Sequence, residues 1–452
     1  MRSDRTVLCL LAVAIFFYGP AAAETLAEAL ADAYLTNPQL LAARARLRAV
    51  DENVPQALSN WRPTVSMNGN TQVQQQDRTL NGVNTSNTAW PAGLSLSLSQ
   101  PLFRGLRTLS ETERAEYQVL AERARLADAE QSVLLAVVTA YLNVVRDRAV
   151  VDLNASNVEV LRRQLEATED RFRVGELTRT DVSQAQSRLQ RAIADLVTAR
   201  GALTSSIAAY VNVVGHGPGE LEFPPPAANL PPSEESTIES ARVDSPPVIA
   251  ADYDERAAQS NVKLVEGELY PTVSLNASTA YNTDFGVHEL DTFTETLTAT
   301  ANVPLYTAGS TYSRLRASKQ TASQRRQDYL STQRDAIETA TRAWEALQTG
   351  LASVEAFEAE VRAQQIAYEG VQEEARVGAR TTLDVLDAEQ ELFNAQVNLV
   401  RARRDATVAS YSVFSAIGKL TAAALGLDVL IYNERDYYDR VRNRWFGAAI
   451  DR

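Results

Sequence analysis

Side chains able to do chemistry on their own are scarce in this 452-residue chain. Of its two histidines, His216 lies in a Pro/Gly-rich stretch and His288 in a polar, loop-like segment, and neither has ligand or triad spacing around it. The single cysteine, Cys9, sits in an apolar N-terminal run, and no glycine-rich phosphate loop occurs. This pattern points away from an enzyme and predicts no cofactor and no metal. What remains is charge. Asp384 and Asp387 stand three apart behind Arg380 and Thr381, a spacing that lets Thr381 and Asp384 cap a helix and lets acids complement its dipole.

The elements that must position these charges begin after residue 23. Met1-Arg2-Ser3-Asp4-Arg5, an apolar core from Val7 to Tyr18 and Ala21-Ala22-Ala23 read as a secretory signal peptide over 1–23. Its core of about 12 residues is short of the ~20 needed to span a bilayer as a helix. Removing it takes Cys9 away and leaves 42 basic against 56 acidic side chains, a net charge of −14. That excess argues against a nucleic-acid partner, because phosphate binding needs a basic face. It serves either solubility or an acidic lumen that favours cations. No later apolar run reaches membrane-helix length, so any bilayer crossing must be made of strands.

An internal repeat organises the rest. Asn37-Pro38 and Trp61-Arg62-Pro63-Thr64-Val65-Ser66 return as Ser245-Pro246 and Leu269-Tyr270-Pro271-Thr272-Val273-Ser274, each 208 residues later. Arg173-Val174-Gly175 returns as Arg376-Val377-Gly378, and Asp181-Val182 as Asp384-Val385, both 203 residues later. The expected organisation is a first repeat over 24–214, a Pro/Gly-rich linker over 215–235, a second repeat over 236–418 and a tail over 419–452 rich in Tyr, Trp and alternating charge.

Each repeat has one plan. A short helix over 24–35 precedes a second one that Asn37 caps with Pro38 at its first position. Val182, Ala185, Leu189, Ala192, Leu196, Ala199 and Leu203 step alternately by three and four, as do Val385, Ala388, Leu392, Ala395, Leu399, Ala402 and Ala406, a coiled-coil seam. Trp344, Leu347, Leu351 and Val354 keep the same rhythm. Residues 105–172 predict a helix of about 100 Å, and 38–59 with 179–214 stacked end to end sum to about 87 Å. The protein is therefore expected to be a rod.

Two alternating segments per repeat predict β-hairpins: Val65 to Val73 with Leu94, Leu96 and Leu98, and Val273, Leu275 and Ala277 with Leu297, Ala299, Ala301 and Val303. Gln76 to Thr88 and Asn282 to Thr292 read as polar connecting loops. Trp61, Trp90, Phe103, Tyr270, Phe293 and Tyr306 stand near strand ends, where aromatics favour the bilayer interface. Two hairpins cannot close a barrel, and open edges are costly in lipid. Two chains would give a filled barrel of about eight strands, three would give about twelve and an open lumen. The fold class expected is mainly α with a membrane β-barrel portion, a homotrimer in contact with outer-membrane lipid.

These features resemble the TolC family of outer-membrane factors. The resemblance covers the chain to Gly418 and is most specific in Gly378-Ala379-Arg380-Thr381-Thr382-Leu383-Asp384-Val385-Leu386-Asp387-Ala388. It implies a trimeric twelve-stranded barrel in the outer membrane and a long antiparallel coiled-coil tunnel across the periplasm. The implied function is export of secreted proteins or small toxic compounds, with a periplasmic adaptor and an ABC or proton-driven inner-membrane transporter as partners. A structural or adhesive coiled coil anchored by a barrel is the alternative.

The resemblance also implies a gate. Asp384 and Asp387 would project into the narrow tunnel end, where a ring of like charges attracts cations and raises carboxylate pKa values. Arg380 with Thr180 and Asp181 would latch it shut, and Val174, Gly175, Val377 and Gly378 would meet the adaptor. The repeat separates roles: Asp384 has a counterpart in Asp181, so capping accounts for both, whereas Asp387 is matched by Gln184 and Arg380 by Leu177. Where the family often has a latch tyrosine, this chain has Ala375.

Overall fold

A computed structural model describes residues 24–283 and 291–450; the leader expected over 1–23 and His288 lie outside them. Helix α1 (Leu26–Thr36) starts from a capping box in which Thr25 and Glu28 satisfy each other's backbone N–H. Asn37 Oδ1 accepts from Gln39 N at 2.9 Å and caps α2 (Pro38–Asp51), with Pro38 at its first position. The single helix expected over 38–59 is interrupted at Glu52 and resumes as α3 (Asn53–Ser59). Pro55 is the cause, because its ring has no N–H to give the carbonyl of Asp51 and crowds it.

The chain then enters a sheet and leaves it as α4 (Arg107–Arg173), which has 67 residues and runs about 100 Å. It reverses into α5 (Arg179–Val214). The second half repeats the order: α6 (Glu234–Asp244), α7 (Pro246–Glu266), two strands, α8 (Ser310–Arg376, again 67 residues) and α9 (Thr382–Ala416). A short α10 (Asp436–Val441) lies in the tail. Among the described residues no helix is long and apolar enough to cross a membrane.

The strands are β1 (Thr64–Thr71), β2 (Gln74–Leu80), β3 (Val83–Ala89), β4 (Ala92–Arg104), β5 (Thr272–Thr283) and β6 (Thr292–Asn302). Four form one antiparallel sheet, ordered β1-β4-β5-β6, so the two halves of the chain meet at the β4–β5 ladder. Register sorts the side chains cleanly. Val65, Met67, Leu94, Leu96, Leu98, Ala277, Leu297 and Ala299 share one face, and Ser66, Ser95, Ser97, Asn276, Ser278, Thr296, Thr298 and Thr300 share the other. Glu295, opposite Thr279, is the charged exception on the apolar face.

The polar loop expected over Gln76 to Thr88 is instead a second hairpin, β2–β3, extending beyond the four-stranded sheet. Asn81 and Gly82 both have positive φ, 49° and 81°, which is the turn whose twist matches antiparallel strands. Polarity suggested a loop there, but Gln and Thr side chains exposed on both faces suit a ribbon standing in water.

The helices pack as two antiparallel hairpins, α4 with α5 and α8 with α9. Ala185, Leu189, Ala192 and Ala199 of the first seam are buried, as are Val385, Leu392, Ala395, Ala402 and Ala406 of the second. Leu351 departs from the expected seam and is 45% exposed. Gly350 faces the partner helix in its stead, at close approach: a Cβ there would stand 3.0 Å from Ala406 Cα. Halfway along, the 215–235 segment crosses the helices as a belt, accepting Tyr141 Oη at the Glu222 carbonyl (2.7 Å) and donating Ala227 N to Ser410 Oγ (3.0 Å). Where helices meet the sheet, Gly105 and Gly267 touch backbone to backbone; a Cβ on Gly267 would lie 2.4 Å from the Gly105 carbonyl oxygen.

Candidate gate at the helical tip

The end of the rod far from the sheet is made by two turns of identical construction. In the first, Gly175 (φ 83°) donates to the Phe172 carbonyl at 3.0 Å and Glu176 to that of Arg171 at 3.0 Å. In the second, Gly378 (φ 77°) donates to Ala375 at 3.2 Å and Ala379 to Glu374 at 2.9 Å. This double bond pattern ends a helix by satisfying its last carbonyls, and the left-handed backbone it needs favours glycine. Val174 and Val377, the residues before the glycines, are 73% and 81% exposed and cap the tip with two bare apolar side chains.

After each turn a threonine–aspartate box opens the returning helix. Asp181 Oδ2 accepts from Thr178 N at 2.9 Å and Thr178 Oγ1 at 2.7 Å; Asp384 Oδ2 accepts from Thr381 N and Oγ1, both at 2.9 Å. Hydrogen bonds to the charged form hold both carboxyls below the ordinary carboxylate value, those from Thr178 for Asp181 and from Thr381, with Arg380 adding attraction, for Asp384. The capping role expected from sequence is met at both positions.

Asp387 is different in kind. Its Oδ1 accepts from Arg188 Nη2 at 2.7 Å, a bond between α9 and α5 that ties the two hairpins together. Arg188 was not singled out from sequence, although a signal exists: its repeat counterpart, 203 residues on, is Glu391, so charge reverses between the copies where Asp387 replaces Gln184. Arg380 does not take the expected partners within one chain. Its Nε donates to Glu374 Oε2 at 2.8 Å, on its own hairpin, because the tight turn brings the end of α8 within reach, and Asp181 is engaged by Thr178. Ala375 contributes a carbonyl to the turn and no phenol.

Behind these charges lies a small apolar cluster. Val158 and Leu161 of α4, Leu189 and Ala192 of α5 and Leu386 of α9 bury one another. Glu389, one turn further into α9, is 8% exposed. Burial pushes its carboxyl up from 4.5 to about 7, Arg163 of α4 opposing the shift only in part. Sequence periodicity does not reveal it, since Glu389 falls between the seam positions Ala388 and Leu392.

The profile of the outer membrane efflux protein family matches residues 29–216 and 237–419, one match for each half of the chain. The chain belongs to that family. It is similar to outer membrane efflux protein BepC of Brucella suis, 37% identical over 432 residues that cover 94% of this chain and 92% of that protein. It also resembles outer membrane protein TolC of Vibrio cholerae, 27% identical over 88% of this chain and 92% of that one. Among solved structures, the outer membrane protein VceC of Vibrio cholerae superposes with a TM-score of 0.75 at 20% identity, over 87% of this chain and 96% of that one.

Membership in the outer membrane efflux protein family makes this chain an outer-membrane export channel. The adhesive or purely structural coiled coil is thereby set aside. The fold expected from sequence, long helical hairpins joined to a short sheet, is the one present.

Proposed function

We propose that three copies of this chain close a twelve-stranded barrel in the outer membrane, continued by a periplasmic tunnel of helices. The observation that carries the reading is the sheet: four strands with one apolar and one polar face, and both edges, β1 and β6, without a partner among the described residues. Open edges are not tolerated in lipid, and because β1 and β6 run antiparallel, β6 of one copy can continue the ladder into β1 of the next. The polar face then lines the lumen and the apolar face meets lipid. Aromatics at both levels of the sheet support this placement: Trp61, Phe103, Tyr270 and Tyr306 beside the helices, Trp90 and Phe293 at the far end, all exposed. Native mass spectrometry and planar-bilayer recording test it together. A threefold mass and single-channel steps are expected; a monomer without conductance would overturn it.

At the other end, Asp384 and Asp387 would form an acidic ring, six carboxylates in three copies, that concentrates cations. The Arg188–Asp387 bond holds each α9 hairpin against its own α5, and opening the tip requires its loss. Arg380 and Thr180 are exposed on the tip surface and Asp181 partly so, and to act as the latch Arg380 would exchange Glu374 for Thr180 and Asp181. Val174, Gly175, Val377 and Gly378 would be the docking point for a periplasmic adaptor, itself joined to an ABC or proton-driven transporter of the inner membrane. Deleting the gene in its native host and comparing secreted proteins with drug sensitivity assigns the cargo.

A further inference from the structure

The tail beyond Gly418 belongs to neither repeat, yet it is built into the rod along a defined path. Ala422 N donates to Glu130 Oε1 at 2.7 Å, Tyr432 N to Tyr34 Oη at 3.0 Å, Tyr437 Oη to Glu52 Oε1 at 2.7 Å and Arg442 Nη2 to Glu116 Oε1 at 2.9 Å. Partners on α4 therefore run from 130 back to 116 while those on α1 and at the end of α2 run from 34 to 52, and both trends climb toward the sheet. The path ends at its rim. Arg62 Nη1, two residues before β1, donates to the Arg444 carbonyl at 2.7 Å, and its guanidinium lies 4.8 Å from the Trp445 ring centre.

Past that point the chain is shaped to show apolar side chains to the outside. Arg444 Nε donates to the Phe446 carbonyl at 3.2 Å and its Nη1 to that of Ala449 at 3.0 Å, winding residues 444–449 into a turn about Gly447 (φ 101°). Trp445, Phe446 and Ile450 project from this turn, 58%, 86% and 75% exposed. They stand at the level of Trp61 and Tyr270, where the helices give way to the apolar sheet face. A fixed aromatic patch facing water would gain nothing, whereas at the boundary of headgroups and acyl chains the same residues are favoured.

We infer that the C-terminal turn carrying Trp445, Phe446 and Ile450 is a membrane-interface anchor that inserts into the periplasm-facing leaflet of the phospholipid bilayer around the barrel. This rests on the reading of the sheet as a membrane barrel, and the test separates the two. The protein has four tryptophans, Trp61, Trp90, Trp344 and Trp445, so conversion of three to Phe leaves one reporter in the intact chain. Two such proteins, reporting from Trp445 and from Trp90, are placed in phosphatidylcholine vesicles with and without brominated acyl chains and also exposed to acrylamide. Trp445 is expected to lose a substantial part of its emission to the brominated lipid, because an interfacial tryptophan lies within reach of the acyl chains. Quenching of Trp90 but not Trp445 by lipid overturns the anchor alone; if Trp445 is then quenched by acrylamide the turn faces water, and if by neither it is covered by a neighbouring subunit. Quenching of neither tryptophan by lipid overturns the barrel placement itself.

Discussion

Arg188 and Asp387, 199 residues apart in the chain, meet across 2.7 Å at the tip and are the ion pair that joins the α4–α5 hairpin to the start of α9. Both side chains are partly exposed, 34% and 56%, so each pair contributes only about 0.2–1 kcal/mol. A weak contact present once per protomer would suit the proposed gate, whose opening requires its loss. Arg188→Ser is expected to raise the conductance of the purified closed channel, and Arg188→Glu to raise it further by repelling Asp387. In a double-mutant cycle with Asp387→Asn the effects are non-additive; simple additivity would show that the pair is not the clamp.

Asp384 and Asp387 separate by experiment although they are one turn apart. Asp387→Ala removes ring charge and the Arg188 ion pair but leaves the Thr381 box intact, so reversal potentials in a salt gradient lose cation selectivity while the melting temperature falls only slightly. Asp384→Ala loses selectivity and also the bonds from Thr381, so its melting temperature is expected to fall further than that of Asp387→Ala. Unchanged selectivity in both proteins would remove the acidic ring.

Glu389 is expected to make the tip pH-sensitive, and the sign follows from its raised pKa. Between its ordinary 4.5 and about 7 the folded chain holds a proton there that the unfolded chain does not, so stability falls as pH rises through that window. Its neighbours are Arg163 of α4, which favours the charged form, and Tyr368 of α8, a phenol raised by its own burial and by this carboxylate. Glu389→Gln is expected to flatten the dependence and to stabilise the protein at pH 8 by on the order of 2 kcal/mol. Melting curves at pH 5 and pH 8 decide it: equal slopes for the two proteins would mean that Glu389 is solvated.

At the junction of sheet and rod, Gly267→Ala forces a methyl against the Gly105 carbonyl and the Arg107 side chain, 2.4 and 2.7 Å away. A cost of about 1–3 kcal/mol is expected from such overpacking. Gly370→Ala, at a helical position with nothing within 4 Å, is the matched control and is expected to stabilise by about 0.5–1 kcal/mol. Thermal denaturation of the two variants compares them directly.

Much of this protein is legible in one dimension. Thr25-Glu28, Asn37-Pro38, Thr178-Asp181 and Thr381-Asp384 mark helix starts because capping bonds span only two or three residues. The seam through Ala185, Leu189 and Ala192 and the alternation through Leu94, Leu96 and Leu98 are likewise short-range, since a helix or strand repeats its buried face at a fixed period. The Asn81-Gly82 turn was equally local, and was hidden only by the polarity of the strands around it.

Contacts between elements were not legible in that way. Leu351 keeps the heptad rhythm yet is exposed, because Gly350 lets α8 and α9 approach on a neighbouring line. The resemblance pointed Arg380 to Thr180 and Asp181 of the opposite hairpin; the tightness of its own turn puts it on Glu374. Arg188 reaches Asp387, and Glu389 is buried, because two long helices are rotated by a particular amount about their own axes. Residue spacing sets which side chains share a face, but that rotation is a sum of packing over the whole interface, and only the folded chain contains it.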